Sequence, residues 1–139
     1  MTRRLPFWQV DAFTDTAFAG NPAAVVLSPL PLDAPLMQAI AAENNLSETA
    51  FLVPCGAGTW GLRWFTPTLE VDLCGHATLG AARALQHAGE LTDTAAFRTA
   101  SGLLQVRAGA GQLTMDFPTV PLEGALDDAE LLRALGMPA

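Results

Sequence analysis

The sequence predicts an α+β domain in which a curled, mostly antiparallel sheet wraps around a central helix. Short apolar segments separated by Gly, Pro and Asn residues alternate with helical patterns. One helical pattern, residues 75–88, consists mostly of small or apolar residues, so other elements must enclose it. Half of the 139 residues are apolar and 15% are charged, which is typical of one compact domain. A sheet that closes around the apolar helix buries both elements.

The first two strands are predicted at residues 5–13 and 23–27, which are rich in apolar, aromatic and β-branched residues. Gly20, Asn21 and Pro22 lie between them and form a strong breaker. We therefore expect Asn21 and Pro22 to shape a turn that leads into the second strand, with no contact to a substrate.

Two helices follow from their caps and apolar stripes. Asp33 can cap the first helix with Pro35 in the first turn, and this helix should run to about Asn44. The second, central helix begins at Gly75, and Gly89 supplies its stop. His87 lies near its C-terminal end, where we expect a structural role.

The remaining segments predict a hairpin, a meander and a last helix. Strands at residues 49–53 and 60–65 flank a longer loop over residues 54–58. Asp127 and Glu130 predict an acidic capping box at the start of the last helix, with Gly136 as its stop. The meander is predicted from three strand-like segments separated by Ser-Gly and Gly-Ala-Gly turns: residues 95–99, 103–107 and 113–117.

The charge and the cysteines exclude several function classes. A formal charge of −7 would repel a nucleic acid. No apolar run approaches the length of a membrane span, and no export signal is recognised, so we expect a cytoplasmic protein. Cys55 and Cys74 are too far apart for a metal knuckle or a redox pair. Cys74 and His76 lack a second pair of ligands, so no metal is expected.

Four stretches of the sequence resemble the PhzF-like family of phenazine-biosynthesis isomerases. They are VDAFTDTAFAGNPAAVV, AAENNLSETAFL, LRWFTPTLEVDLCGHATLGAA and LTMDFP, and they occur in the family's order over most of the chain. The resemblance implies a two-lobed fold shared with diaminopimelate epimerases, with the substrate in the cleft between lobes. Residues 1–139 would form the N-terminal lobe. The C-terminal lobe, with its Gly-rich loop and aspartate, is not in this sequence, so we expect a partial product.

Glu48 is the first catalytic candidate. As an isolated carboxylate between a helix and a strand, it would ordinarily be read as a solvated surface group. The resemblance implies instead that Glu48, in the NLSET motif, is the family's general acid/base, which takes a proton from the substrate and returns it.

Gly75 and His76 are the predicted substrate-binding residues. Free backbone N–H groups at a helix start attract anions, so this pair could hold a carboxylate or an enolate-like charge. The family's GH pair matches that role, although a histidine here could also simply cap or pack. Asp72 belongs to the same helix start as a secondary candidate, since a carboxylate is favourable there without any catalysis.

Cys74 supports a rival hypothesis. Related diaminopimelate epimerases and proline racemases place a catalytic thiol at a helix start, where the thiol pKa is lowered. The alternative is a small buried hydrophobic residue, which is the usual state of a free cysteine. A two-thiol mechanism would also need a second cysteine from the opposite lobe.

The sequence therefore predicts half of a cofactor-independent isomerase, of the proton-shift or epimerase type, for a small carboxylate or amino-acid-like substrate. A second hypothesis is a non-catalytic module that binds or assembles with a partner lobe. In either case the face left without its lobe should be partly apolar, which favours a homodimer or pairing with the C-terminal lobe.

Overall fold

The computed structural model describes residues 4–119, 121, 124 and 128–137. Within them, three helices accompany eight strands that form one sheet. The strands are β1 Phe7–Ala12, β2 Asn21–Leu27, β3 Glu48–Gly56, β4 Thr59–Phe65, β5 Glu70–Val71, β6 Thr94–Thr99, β7 Gly102–Gly109 and β8 Gln112–Met115. The helices are α1 Ala34–Asn44, α2 Gly75–His87 and α3 Ala129–Ala134.

The sheet has the order β1-β2-β3-β4-β6-β7-β8, and β5 pairs with β4. Only the β2–β3 and β4–β6 pairs are parallel among the described strands, so the predicted antiparallel majority is confirmed. Helix α2 contacts β1 and β8, which are the two ends of this order, as well as β2 and β3. A sheet whose opposite edges touch one helix must curl around it. The predicted central helix is therefore confirmed.

Apolar residues cover both sides of the sheet. On the inner side, the alanines of α2 allow its backbone to approach buried side chains such as Leu62, Trp64 and Phe97. On the outer side, Met37 and Ala41 of α1 pack on a smaller cluster. Fully burying each large apolar side chain contributes about 1.5–3 kcal/mol, so these two clusters are the main source of stability.

The predicted bounds of the first two helices are confirmed by their caps. Asp33 Oδ1 accepts a hydrogen bond from the backbone N–H of Leu36 at 2.8 Å. Asn45 ends α1 in the left-handed conformation, with φ of 51°. Helix α2 ends before Gly89, whose φ of +77° favours glycine.

The predicted hairpin loop is wrong in length. Strand β3 continues to Gly56, so the turn contains only Ala57 and Gly58. Pairing shifts register between Pro54 and Gly56, which accommodates Cys55 as an irregularity in the strand. Gly56 and Gly58 have φ of +132° and +66°, and this freedom permits the tight reversal.

The predicted turn at Asn21 and Pro22 is also wrong, because both residues lie in β2 and pair with β1. Pairing of β2 with β3 begins only at Ala23, so Pro22 is not flanked by strands on both sides. A proline is tolerated in a strand at such a position.

Two further details differ from the sequence-based expectations. Strand β5 is absent from the predicted strands, because a strand of two residues shows no periodicity. The carboxylate of Glu70 in this strand accepts two hydrogen bonds from the guanidinium group of Arg63, at 2.6 and 2.7 Å. Asp127 lies outside the described residues. Asp128 caps α3 instead, accepting hydrogen bonds from the N–H groups of Glu130 and Leu131. None of the described helices is long and apolar enough to cross a membrane.

Candidate functional site

The strand register brings Glu48 to the start of the central helix. Glu48 is the first residue of β3, where it lies beside Ala23 of the parallel strand β2. Side chains alternate along a strand, so Glu48 shares a face with Ala50 and Leu52, which belong to the core cluster around α2. The Glu48 carboxyl group therefore points toward α2.

Four side chains meet at this point. Glu48 Oε2 lies 3.3 Å from Nε2 of His76, and Ser47 Oγ lies 3.2 Å from the same nitrogen. On the other side of the imidazole ring, Cys74 Sγ lies 3.4 Å from Nδ1. The side chains of His76 and Glu48 are 10% and 19% exposed. The residues predicted as catalytic and as orienting thus lie in one partly desolvated cluster.

The carboxylate of Glu48 is incompletely satisfied. Its Oε2 atom is buried and makes no aligned hydrogen bond with any described residue, although the His76 ring is close by. An unpaired buried polar atom costs about 1–3 kcal/mol, and more if it is charged. Such atoms are rare in folded proteins, and they mark places where a ligand or a proton completes the bonding.

The first turn of α2 is open to an anion. Cys74 occupies the N-cap position but makes no capping hydrogen bond with its side chain. The N–H groups of this first turn have no partner within the helix, and those of His76 and Ala77 lie within hydrogen-bonding reach of the Cys74 sulfur. The Phe117 ring lies against Gly75, so any side chain at position 75 would overlap it. Only glycine fits here without displacing that ring.

Asp72, the secondary candidate, lies outside this cluster. Its side chain is exposed, and its backbone carbonyl accepts a hydrogen bond from Ser101 Oγ at 2.8 Å. Ser47 is the residue that sequence reasoning missed. It lies just before β3, and a lone serine there carries no periodic signal.

Burial raises the pKa of the Cys74 thiol to about 11, and the Glu48 carboxylate shifts it in the same direction. The backbone N–H groups of Ala77 and His76 oppose this shift but do not overcome it. A thiol with this pKa is almost entirely protonated near neutral pH. It is therefore a poor nucleophile or base, despite its position at a helix start.

The raised pKa predicts a stability loss at alkaline pH. The thiol ionises near pH 9.0 in the unfolded chain and near pH 11 in the folded one, so its contribution is present below pH 9 and lost as pH rises to about 11. We expect the difference in free energy of unfolding between the wild type and Cys74→Ala to change over this window. Urea titrations at a series of pH values measure it. A difference in free energy of unfolding that stays constant from pH 8 to 11 would contradict the raised pKa of Cys74.

The cluster also contains three possible metal ligands. One ligand atom each from Glu48, Cys74 and His76 lies within 4.8 Å of the others, the count found in open catalytic zinc sites. A metal-bound cysteine must be a thiolate, and a thiol with a pKa of about 11 resists this ionisation. A metal at this cluster would have to displace the thiol proton of Cys74, and the expectation of no metal stays a prediction.

A groove lies elsewhere on the surface. It has a volume of about 610 Å³, and its polar lining includes Asp11, Asp15 and Arg83, with no member of the Glu48 cluster. The volume of a groove does not by itself identify an active site, and this groove lacks a buried acid/base group. His87, at the end of α2, packs edge-on against Trp8.

The fold is an α+β lobe of the kind found in PhzF-family and epimerase structures. The chain superposes on a PhzF-family phenazine biosynthesis protein of Enterococcus faecalis with a TM-score of 0.82 and 44% identity, covering 95% of this chain and 51% of that one. It also superposes on a hydroxyproline epimerase of Agrobacterium vitis, with a TM-score of 0.61, covering 80% of this chain and 40% of that one. At 12% identity, the second likeness shows the fold alone.

Residues 10–133 match the family of phenazine biosynthesis-like proteins (PhzC-PhzF), and the chain belongs to that family. The resemblance found in the sequence is confirmed. An uncharacterized isomerase of Pseudomonas aeruginosa is 51% identical over 134 residues, covering 96% of this chain and 51% of the relative. A human phenazine biosynthesis-like domain-containing protein is 45% identical over 126 residues, covering 85% of this chain and 44% of the relative. The chain spans about half the length of these relatives.

Proposed function

We propose that this chain supplies the proton-carrying lobe of an isomerase that acts on a small carboxylate or amino-acid-like substrate. The observation that carries the proposal is the unpaired Oε2 of Glu48, held in a partly desolvated cluster beside the first turn of α2. A carboxyl group at such a place can accept a proton and return it.

In the proposed reaction, Glu48 removes a proton from a substrate carbon next to an electron-withdrawing group. The electrons of the broken C–H bond move toward that group and form an enolate-like anion. The N–H groups of Gly75 and His76, at the positive end of α2, stabilise this charge or hold the substrate carboxylate. Glu48 then returns the proton to a different carbon on the same face of the substrate. No cofactor enters this scheme.

The names of relatives support an isomerase. Three bacterial relatives are called uncharacterized isomerases. We propose a small cyclic or amino-acid-like carboxylate as the substrate class, for example a dihydro-hydroxyanthranilate. Since relatives are about twice as long, we propose that a second lobe closes the cleft over Glu48, or that a second copy of this chain does so.

Solvent exchange tests the proposal. The protein, completed by a second lobe, is incubated in D₂O with a panel of small cyclic and amino-acid carboxylates. We expect deuterium to enter a substrate at the carbon that receives the proton, detected by NMR or mass spectrometry. The thiol-based alternative predicts loss of exchange in Cys74→Ser, whereas the glutamate mechanism predicts that this variant retains it. Loss of exchange in Cys74→Ser with retention in Glu48→Gln would transfer the role to the thiol.

A non-catalytic assembly module is the second candidate, and the apolar surroundings of the site favour it. Phe117, which lies against Gly75, is 57% exposed, and Leu73, two residues before Gly75 in the sequence, is 39% exposed. Exposed apolar side chains at one place mark a surface that another lobe covers. Under this hypothesis the chain pairs with a partner lobe, as a measurement of solution mass would show, but the pair exchanges no deuterium.

A further inference from the structure

We propose that Ser47 and Cys74 are positioning residues that hold His76 in the tautomer with its proton on Nε2, donated to Ser47 Oγ beside the carboxylate of Glu48. This role deepens the proposed function and rests on it for its catalytic meaning. The tautomer itself is a property of the chain without substrate.

Ser47 determines which atom donates the hydrogen bond at Nε2 of His76. Its hydroxyl group lies 3.3 Å from the backbone carbonyl of Pro22, which can only accept a hydrogen bond. A serine hydroxyl has one proton, and donation to Pro22 leaves only lone pairs of Oγ for His76. With that proton donated to Pro22, the ring nitrogen Nε2, 3.2 Å away, is the donor to Ser47 Oγ, whose residue is exposed.

Cys74 determines which atom donates the hydrogen bond at the other ring nitrogen, Nδ1. Its Sγ atom lies 3.4 Å from Nδ1 of His76, and the residue is 8% exposed. A protonated thiol is a weak donor and a still weaker acceptor, so the S–H group matches an Nδ1 atom that carries a lone pair. The thiol therefore supports the same tautomer as Ser47 does.

The opposite tautomer leaves unfavourable contacts. A proton on Nδ1 would face the thiol sulfur, and the lone pair of Nε2 would face the Glu48 oxygen at 3.3 Å. Two lone pairs at this distance repel each other inside a partly desolvated cluster. With the proton on Nε2, hydrogen bonding runs in one direction from Cys74 through His76 and Ser47 to the Pro22 carbonyl, and the Nε2–H group lies 3.3 Å from the Glu48 carboxylate, whose Oε2 atom stays without an aligned hydrogen bond.

The tautomer is measured by long-range ¹H–¹⁵N correlation NMR of the ¹⁵N-labelled 139-residue chain near neutral pH. The sequence has two histidines, and His87 serves as the internal control because it lies at the opposite end of α2, against Trp8. We expect the wild type and Cys74→Ser to show the Nε2–H pattern for His76, since a serine hydroxyl can replace the S–H donor. In Cys74→Ala and Ser47→Ala, the Nδ1–H population should rise roughly five- to ten-fold, the effect of losing one hydrogen bond.

An Nδ1–H pattern in the wild type would overturn the proposal, as would a His76 pattern unchanged in both alanine variants. Backbone amide spectra establish that each variant is folded. If Cys74→Ala fails to fold, the wild type, Cys74→Ser and Ser47→Ala still decide the question. Because no substrate is needed, failure of the proposed isomerase activity would show only in solvent exchange, and failure of the tautomer assignment only in the imidazole spectrum.

Discussion

Replacing Glu48 by Gln is expected to lower the rate of proton exchange by roughly 10²- to 10⁴-fold, which is the usual contribution of a positioned acid/base group. The amide has nearly the shape of the carboxyl group but cannot carry the substrate proton. Deuterium incorporation from D₂O, followed in the protein completed by a second lobe, measures the effect. Circular dichroism and urea unfolding of the variant check that its fold is unchanged.

Glu43→Gln is the matched control for this experiment. Glu43 is an exposed glutamate on α1, and the same change of charge there should leave exchange within about twofold of the wild type. Equal rates for Glu48→Gln and the wild type would remove Glu48 from the mechanism. Equal losses in both variants would point to a general effect of charge.

Leu104→Ala is expected to produce a large loss of stability, about 2–5 kcal/mol. Leu104 lies on β7, is 3% exposed and belongs to the core cluster around α2. Removing its side chain loses buried apolar surface and leaves a cavity, because the curled sheet on one side and α2 on the other cannot fully close it. Urea unfolding with a fixed m-value measures the change.

The neighbouring residue, Leu103, provides a control whose side chain points to the other face of the sheet. Leu103 precedes Leu104 on the same strand but points to the opposite face and is 60% exposed. Leu103→Ala should change the free energy of unfolding by about 0.5 kcal/mol or less. Similar losses for the two variants would show that β7 has a different register or that another chain covers its outer face.

The helices were predictable because their signals are short-range. The Asp33 cap, the end of α1 at Asn44 and the stop at Gly89 depend on residues within one or two turns of each other. The apolar content of residues 75–88 also predicted that α2 is enclosed, and the strands around it confirm this.

Details that depend on pairing partners were not predictable. Pro54, Asn21 and Pro22 are ordinary breaker signals, yet the strands beside them accept these residues in β3 and β2. Strand β5 exists because Glu70 and Val71 pair with β4, and its two residues have no pattern of their own. In each case a contact between distant residues outweighed the local preference.

The residues of the candidate site were likewise only partly predictable from the sequence. Composition and spacing could not select Glu48 from the other carboxylates, and only the resemblance to a family pointed to it. The role of Ser47 had no sequence signal, because its partners, the Pro22 carbonyl and the His76 ring, come from other segments of the chain.

The amino-acid sequence by itself determined the mixed α+β class, the enclosed central helix and the family to which the chain belongs. These follow from composition, helix caps and contiguous motifs, all of which are local. Only the tertiary structure decided that Glu48, His76 and Cys74 share one partly desolvated cluster and that burial raises the pKa of the thiol. The physical reason is that burial and ring orientation arise when the parallel β2–β3 register brings the start of β3 to the first turn of α2.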